Sequence, residues 1–315
     1  MSIRDLVKSL SGKLHLLTDD EAALLVKEIE EEERLEAQAL AQGFFMPFVK
    51  RMWPGFIPGR HHEIVAKAFE DVVNGKNKRL IINMAPRHTK SEFASYLLPA
   101  WFLGKNPQKK VIQTSHTAEL AVGFGRKVRN LIDSEEYHAV FDGVKLKADN
   151  KSAGRWATNK GGEYFSIGVG GSVTGKGADL LIIDDPHSEQ EAKLAAHKPD
   201  IFDSVYEWYT SGPRQRLQPG GAIIIVMTRW SLRDLTGQVI KASQTRGGDE
   251  WEVIELPAIM PSGKPVWPES GGGAEDRAEG EFRGIEGAGG ADRAAGTRER
   301  LSSEGYRDWA LTRSR

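Results

Sequence analysis

Four short apolar runs, each of strand length, divide the middle of the chain. They are rich in Ile and Val and hardly alternate between apolar and polar residues, which is typical of strands buried on both faces of a parallel sheet. The runs are RLIINM (79–84), KVIQTS (110–115), DLLIID (179–184) and AIIIVMT (222–228). Stretches with helical spacing of apolar residues lie between them. The alternation predicts an α/β fold in which a mostly parallel central sheet lies between two helical layers.

The two ends of the chain follow different patterns. In residues 18–42, apolar residues recur at roughly helical spacing among many glutamates, and Thr18 with acids after it is a good helix start. We therefore predict a helical N-terminal arm over 1–46 and the α/β domain over 47–269. Residues 270–315 contain mainly Gly, Ala, Arg and Glu with few apolar residues, which predicts a low-complexity, disordered tail.

Composition narrows the class of protein. Hydrophobic residues make up 39% of the 315 residues and charged residues 28%, which is typical of a soluble globular protein. The 43 basic and 44 acidic side chains give no whole-chain signal for nucleic acid, although a local basic patch is compatible with this balance. The absence of cysteine excludes disulfides and thiolate sites. No signal peptide or membrane-length apolar run occurs, so we predict a cytoplasmic protein without a membrane partner.

One turn has the surroundings of a phosphate-binding loop. Such a loop gathers backbone N–H groups between a strand and a helix, its lysine contacts the β- and γ-phosphates, and its hydroxyl ligates Mg²⁺. The turn APRHTKS (85–91) follows the first apolar run, precedes a helical stretch and contains Lys90 and Ser91. However, Met84 and Thr89 stand where the pattern G-x-x-x-x-G-K-[ST] has glycine.

A second segment matches that pattern more closely but has the wrong surroundings. GGSVTGKG (170–177) satisfies G-x-x-x-x-G-K, yet Gly177 stands where the hydroxyl residue should be, and a strand follows instead of a helix. Because a helix N-terminus is the main anion-binding element, we predict that the turn at 85–91 binds phosphate and that this segment does not.

The third apolar run ends in two carboxylates, Asp184 and Asp185. In P-loop ATPases an aspartate at the end of a neighbouring strand holds Mg²⁺, and an adjacent acid can orient the attacking water. Asp184 suits the metal role, and Asp185 suits the water-orienting role. Two alternatives remain at this point: the acids end a strand and cap a helix, or they form a metal nuclease with His187 and further acids.

Several stretches, taken in order, resemble the ATPase domain of the large terminase subunit of tailed bacteriophages. They are RLIINMAPRHTKSE (79–92), ADLLIIDDPH (178–187), AIIIVMTRWSLRDLTG (222–237), GRHHEIVAKAFEDV (59–72), SVTGKGAD (172–179) and WYTSGPRQRLQPGG (208–221). The resemblance covers about 45–269. It implies a three-layer P-loop NTPase fold of the RecA/ASCE-like type and an Mg²⁺-dependent ATPase that moves double-stranded DNA into a procapsid. The implied partners are DNA, the portal of the procapsid, the small terminase subunit and further copies in a ring.

The resemblance also implies roles for individual residues. The residues expected to bind ATP are His61 on the adenine side and, in the Walker A turn, Pro86, Arg87, His88, Thr89, Lys90 and Ser91. Those expected to hold Mg²⁺ are Ser91 and Asp184. Those expected to act in catalysis are Asp185, Arg87 and Lys176. Those expected to couple the nucleotide state to motion are Thr228, Arg229 and Trp230.

Some of these roles have alternatives. Arg87 is expected at the γ-phosphate or in a surface pair, and Trp230 alone would be interpreted as a core aromatic. Lys176 lies where similar terminases have a basic residue that acts on a neighbouring subunit's ATP, and Arg126 and Arg129 are the alternatives for that role. Adjacent histidines are expected to face apart on a helix, so at most one of the pair at 61–62 should face the site.

The resemblance ends near residue 269, before the RNase H-like nuclease domain with which similar terminases continue. We therefore expect no nuclease activity and hypothesise a truncated or frameshifted product. Two other functions stay open. One is another RecA-like translocase or helicase, which would need a second motor domain. The other is a non-catalytic remnant that binds nucleotide or a procapsid partner, which Thr89 in place of glycine would favour.

Overall fold

The structure is a computed structural model and describes residues 17–195, 197–198 and 200–268. The helices are α1 (Asp19–Gly43), α2 (Phe45–Met52), α3 (Arg60–Val73), α4 (Leu98–Lys105), α5 (Ala118–Ile132), α6 (Glu135–His138), α7 (Glu189–Ala195), α8 (Asp200–Ser211) and α9 (Leu235–Ser243). A π-helical segment, Glu92–Leu97, leads into α4, and a 3₁₀ turn, Pro213–Arg216, follows α8. The predicted tail at 270–315 lies outside the described residues.

The strands form one sheet. They are β1 (Arg79–Met84), β2 (Lys110–Ser115), β3 (Leu146–Lys151), β4 (Arg155–Thr158), β5 (Glu163–Gly168), β6 (Ala178–Asp184), β7 (Leu217–Met227) and β8 (Glu252–Leu256). Their spatial order is β3-β4-β5-β2-β6-β7-β1-β8, and all neighbours are parallel except β3–β4 and β4–β5. The predicted mostly parallel α/β fold is confirmed, and the four predicted strands correspond to β1, β2, β6 and β7.

Strand order brings the two predicted site segments to one edge of the sheet. β7 lies between β1 and β6, and Ile225 of β7 is level with both Ile81 of β1 and Ile183 of β6. Because all three strands run in the same direction, the turn after β1 and the acids that end β6 meet at the carboxyl edge. This order agrees with the RecA/ASCE-like type, and ligands of open α/β sheets bind at this edge.

Both faces of the central strands are buried, which explains why their apolar runs do not alternate. Leu80, Ile82 and Ile224 pack on one face with aromatic residues of α2, α3 and α4. Ile81 and Ile183 pack on the other face with residues of α8 and α9. The sheet is therefore the middle layer of three.

The helical arm begins as the sequence predicts. The Thr18 side chain accepts a hydrogen bond from the Glu21 backbone, and the Glu21 carboxylate accepts one from the Thr18 backbone, which together form a capping box. Of the residues in α1, only Ala41 is buried, and its carbonyl accepts a hydrogen bond from the Trp101 indole at 3.0 Å. Within the described residues, no helix has the length and apolar character to cross a bilayer.

Candidate functional site

The turn between β1 and the following helix adopts a backbone conformation that favours glycine. Arg87 and Thr89 have φ values of 61° and 64°, in the left-handed region. Thr89 occupies the position of the motif glycine, and glycine is usual there because it reaches positive φ without a steric penalty. Helix geometry starts at Lys90, and the Phe93 backbone N–H donates to the Thr89 carbonyl at 3.0 Å. The turn therefore has the strand-to-helix form of a phosphate loop although its glycines are missing.

Side-chain hydrogen bonds hold this turn. The Thr89 hydroxyl donates to the His88 carbonyl at 2.6 Å, and its oxygen lies 2.7 Å from Nε2 of His62. The Nδ1–H of His88 donates to the Pro86 carbonyl at 2.7 Å. Sequence reasoning did not select His62, although the histidine pair in the sequence drew attention to its position. Arg87 is exposed and has no side-chain partner among the described residues, so its guanidinium is accessible at the rim of the turn.

Lys90 connects the turn to the second acid of the pair. Its side chain is 8% exposed, and Nζ lies 2.9 Å from Oδ2 of Asp185. The other oxygen of Asp185 accepts a hydrogen bond from the Thr228 backbone N–H at 2.9 Å. Asp185 itself has a φ of 42°, a strained value for a residue with a side chain. Segments that follow β1, β6 and β7 thus meet at one carboxylate.

The first acid, Asp184, is buried against the helix that follows the turn. Its two oxygens accept hydrogen bonds from the hydroxyls of Ser91, at 3.0 Å, and Ser95, at 2.8 Å. Ser91 and Ser95 are four residues apart and so share one helix face. The Gln113 side chain donates to Ser95 in turn, at 3.2 Å. Burial, followed by the charge of Asp185, raises the pKa of Asp184 to about 7, against the opposing effects of the two serines and Lys90.

This oxygen set fits Mg²⁺. A buried carboxylate with a raised pKa is an incompletely compensated charge, which a cation would stabilise in its ionised form. Mg²⁺ in nucleotide sites takes one or two protein oxygens and fills the rest of its octahedron with phosphate and water, and Asp184 and Ser91 supply such oxygens. Within the described residues there is no group of three or more His, Cys, Asp or Glu able to hold a metal.

The segment after β7 is fixed by one buried carboxylate, Asp234. Its Oδ2 accepts hydrogen bonds from Nε of Arg229, at 3.0 Å, and from the backbone of Trp230, at 2.9 Å. Its Oδ1 accepts from the Gly237 backbone at 2.9 Å, which caps α9. The Thr228 hydroxyl donates to the Met84 carbonyl at 3.3 Å, so the segment also contacts the end of β1. Trp230 is half-buried against the sheet face that carries α8 and α9.

The two adjacent histidines do not face apart. His61 and His62 are both 1% exposed, and their ring centroids are 3.7 Å apart. Both rings pack on Trp267, at 5.4 and 4.8 Å. The expectation that they face apart is wrong because they lie in the first turn of α3, where the His62 ring folds back to the Gly59 backbone N–H. His62 contacts the turn at 85–91 through Thr89, and the ring of His61 lies 6.0 Å from the ring of His88 in the same turn.

Lys176 lies away from this cluster. It precedes β6, whose seven residues end at Asp184, and a strand of that length spans roughly 20 Å. Its Nζ lies over the Phe165 ring, 5.3 Å from the centroid. The backbone of Lys176 is therefore near the amino edge of the sheet, whereas the turn at 85–91 lies at the carboxyl edge. The alternatives to it lie on α5, where Arg126 is exposed and Arg129 contacts the Asn130 side chain at 2.9 Å.

His187 has a structural role in this arrangement. Its Nε2 accepts a hydrogen bond from the Leu235 backbone N–H at 3.0 Å, and the ring packs edge-on against Phe202. Burial lowers the pKa of His187, so the ring is neutral and its Nε2 lone pair is already used. This contact is unfavourable for the nuclease alternative, which needs that ring as a metal ligand.

Comparison with known proteins shows similarity to a curated sequence and to a solved structure. The terminase large subunit of Enterobacteria phage T3 is 24% identical over 179 residues, which cover 54% of this chain and 29% of that protein. This chain is similar to a phage large terminase subunit. The resemblance inferred from the motifs is thereby confirmed. No family model matches the chain.

Among solved structures, the crystal structure of the HK97 bacteriophage large terminase aligns with a TM-score of 0.45 and 14% identity. The alignment covers 90% of this chain and 55% of that one. The chain thus spans less than a third of its curated relative and about half of this structural neighbour.

Proposed function

We propose that this chain is the ATP-hydrolysing part of a phage DNA-packaging motor. The observation that carries the proposal is the meeting of Lys90 with Asp185 and of Ser91 with Asp184, at 2.9 and 3.0 Å, where β1 and β6 end. A lysine, a hydroxyl and two acids at the carboxyl edge of a parallel sheet form the set that phosphoryl transfer uses. The sequence similarity to a phage terminase supports packaging as the process that this chemistry serves.

The contacts suggest how these residues would act on ATP. The Lys90 ammonium exchanges Asp185 for the β- and γ-phosphates, and the helix N-terminus adds positive potential. Asp185 is then free to orient the attacking water, and its Oδ1 remains fixed by the Thr228 backbone N–H. Arg87, which is exposed at the rim, contacts the γ-phosphate. Catalysis of this kind consists mainly of positioning and charge stabilisation.

Magnesium would be held by Asp184 and Ser91, where it neutralises part of the phosphate charge. Asp184 must be ionised to bind it, and the hydroxyls of Ser91 and Ser95 hydrogen-bond the ionised carboxylate. Ser95 is fully buried and is itself held by Gln113, so it orients the carboxylate from the side away from the turn. Ser91 is partly exposed and belongs to the turn.

The coupling role falls to the segment from Thr228 to Asp234. Thr228 donates to Asp185 and to the Met84 carbonyl, and Asp234 joins Arg229 and Trp230 to the start of α9. Any shift of Asp185 during hydrolysis is therefore transmitted to α9. In the assembled motor, copies of this chain form a ring around DNA and contact the portal and the small terminase subunit. DNA would bind mainly through its phosphates, with strong salt dependence.

The test is ATP hydrolysis by the purified chain, with and without double-stranded DNA. We expect DNA-stimulated hydrolysis that the substitution Lys90→Ala abolishes. Hydrolysis that survives this substitution would refute the assignment of the site. DNA stimulation that is unchanged between 50 and about 200 mM salt would contradict phosphate-mediated DNA binding.

A second candidate function is supported by the strained turn. Thr89 at a φ of 64° favours a remnant that binds MgATP without turning it over. Nucleotide binding that depends on Lys90, together with no hydrolysis in the presence of DNA, would identify this alternative.

A further inference from the structure

A chain of three hydrogen bonds connects the start of α3 to the phosphate turn. The Gly59 backbone N–H donates to Nδ1 of His62 at 2.8 Å. Nε2 of His62 lies 2.7 Å from the Thr89 hydroxyl oxygen. That hydroxyl donates to the His88 carbonyl at 2.6 Å. All three hydrogen bonds are short. Together they connect two segments of the protein, and His62 and Thr89 in them are 27 residues apart in the sequence.

The backbone groups at the two ends of this series of hydrogen bonds determine which atom donates in each one. A backbone N–H only donates, so Nδ1 of His62 carries no proton and accepts from Gly59. A backbone carbonyl only accepts, so the Thr89 hydroxyl gives its proton to His88. The proton between His62 and Thr89 therefore belongs to Nε2, and His62 is a neutral ring that donates to the threonine. Burial lowers the pKa of His62 to about 3, which agrees with a neutral ring.

The His62 ring is itself held rigidly. It packs against Phe56 at 4.8 Å, Phe93 at 5.0 Å and Trp267 at 4.8 Å between ring centroids. Phe93 belongs to the helix that follows the phosphate turn. The donor atom is thus fixed relative to the helix whose N-terminus faces the proposed phosphate.

We propose that His62 is a positioning residue for the phosphate turn, and that its Nε2–H holds Thr89 in the left-handed conformation that glycine adopts unaided. The proposal rests on the proposed function, because the turn matters through the nucleotide it binds. The substitution of threonine for the motif glycine is then compensated by a histidine of the preceding helix. The turn depends on His62 only as long as residue 89 is threonine.

Four variants of the full chain test this dependence. His62→Phe keeps an aromatic ring in the cage and removes the donor, and Thr89→Val keeps the β-branched shape and removes the hydroxyl. Thr89→Gly restores the glycine of the motif, so the turn no longer needs the hydroxyl or its donor. The double variant combines Thr89→Gly with His62→Phe. The measurement is the affinity for a fluorescent ATP analogue in Mg²⁺, with thermal unfolding to confirm that each variant folds.

We expect His62→Phe and Thr89→Val to bind about tenfold more weakly, since each leaves a buried polar group without its partner. We expect Thr89→Gly to bind at least as well as the wild-type chain. His62→Phe should cost much less in that background, where only the Gly59 N–H loses its partner. A purely structural role of His62 in the aromatic cluster would weaken binding equally in both backgrounds, and that result would overturn the proposal. Unchanged binding by Thr89→Val would do the same.

Failure of the proposed function is distinguishable from failure of this inference. If the wild-type chain and Lys90→Ala bind the analogue equally poorly, the nucleotide site is wrong. The rate of hydrogen exchange of the backbone amides at 87–91 then measures the stability of the turn directly. The hydrogen-bond chain is supported, without any nucleotide, by two results together. His62→Phe should exchange faster than the wild-type chain, and the double variant should exchange no faster than Thr89→Gly. Equal exchange in all variants overturns it. If His62→Phe does not fold, the affinities of Thr89→Val and Thr89→Gly are compared instead. Weaker binding by Thr89→Val supports the proposal, and equal binding overturns it.

Discussion

The loop at 170–177 matches the phosphate-loop pattern more closely than the turn at 85–91, but the turn has the surroundings that such a loop needs. The loop has glycines where the pattern requires them, and Gly170 and Gly175 have φ values of 80° and 73°. The turn has threonine at the corresponding position and reaches a φ of 64° there. Yet the turn lies at the carboxyl edge of the sheet before a helix, whereas the loop precedes the amino end of β6.

The environments of the two lysines show what this difference means. Lys90 is 8% exposed and pairs with Asp185 beside a buried second acid. Lys176 is half-exposed and lies over one aromatic ring. Glycine adopts a positive φ without steric strain. Only the position in the fold, however, places a helix N-terminus and a carboxylate partner beside the lysine. The predictions below test this contrast from the largest expected effect to the smallest.

The largest effect is expected from Lys90→Ala. The substitution removes the ammonium from the phosphates and leaves Asp185 without its ion-pair partner, so affinity for MgATP should fall by about a hundredfold or more. Titration of the isolated chain with a fluorescent ATP analogue measures this loss. Lys176→Ala is the matched control, and a similar loss there would remove the distinction between the two loops.

The next effect concerns stability and its dependence on pH. Because the folded state raises the pKa of Asp184 to about 7, this carboxyl stabilises the fold below its unfolded pKa, and that contribution is lost as pH rises through about 7. Asp184→Asn, which cannot ionise, should therefore melt about 2 °C or more above the wild-type chain at pH 8. The gain should shrink towards pH 4. Thermal unfolding without nucleotide measures it.

Asp249 provides a control of opposite sign. Burial raises its pKa, but the hydrogen bond from Arg214 and the charge of Arg79 outweigh burial and lower it. This carboxyl contributes stability above its unfolded pKa, and that stability is lost as pH falls through the lowered value. Asp249→Asn should therefore melt below the wild-type chain at pH 8. A rise in melting temperature for both variants would contradict the charge argument.

A smaller effect separates the two serines that contact Asp184. Ser95→Ala removes a hydrogen bond that favours the ionised carboxylate, so the pKa of Asp184 should rise further. The acid limb of the pH–activity profile should then move up by about half a unit. Ser91→Ala should in addition raise the Mg²⁺ concentration needed for half-maximal hydrolysis. Equal Mg²⁺ requirements in the two variants would contradict a metal role for Ser91.

The smallest effect is expected from Lys176→Ala in the isolated chain. Its affinity for MgATP should stay within about twofold of the wild-type value, because the lysine precedes β6, whereas the turn of its own chain lies at the carboxyl edge of the sheet. If Lys176 acts on a neighbour's ATP, a mixture of Lys176→Ala and Lys90→Ala chains should hydrolyse more ATP than either alone. A mixture no better than its components would exclude the trans role.

Much of the site could be predicted from local sequence, because each segment contains its own signal. The strand before the turn at 85–91 and the helix after it favoured Lys90 and Ser91 over the second loop. The acids at the end of the third apolar run followed from the same pattern. Ser95 also had a signal, since it lies four residues after Ser91 on the same helix face.

Other parts depended on contacts between distant segments. A rule for helix faces did not select His62. Its ring reaches Thr89 in the turn at 85–91 from the start of α3, where it also accepts a hydrogen bond from the Gly59 backbone. Asp234 was not selected from the sequence, and only the fold brings Arg229 and Trp230 to its carboxylate. The antiparallel pair β3–β4 extends the sheet at its edge, and β4 has only four residues, too few to give a clear pattern in the sequence.

By itself, the sequence determined the layered α/β fold, because runs of Ile and Val that fail to alternate must be buried on two faces. It also determined which of the two lysine-containing turns lies between a strand and a helix. The tertiary structure decided which side chains support that turn. Parallel strands brought Asp185 to Lys90, and packing of α3 brought His62 to Thr89. Such contacts depend on strand order and on how helices pack, which local spacing along the chain does not encode.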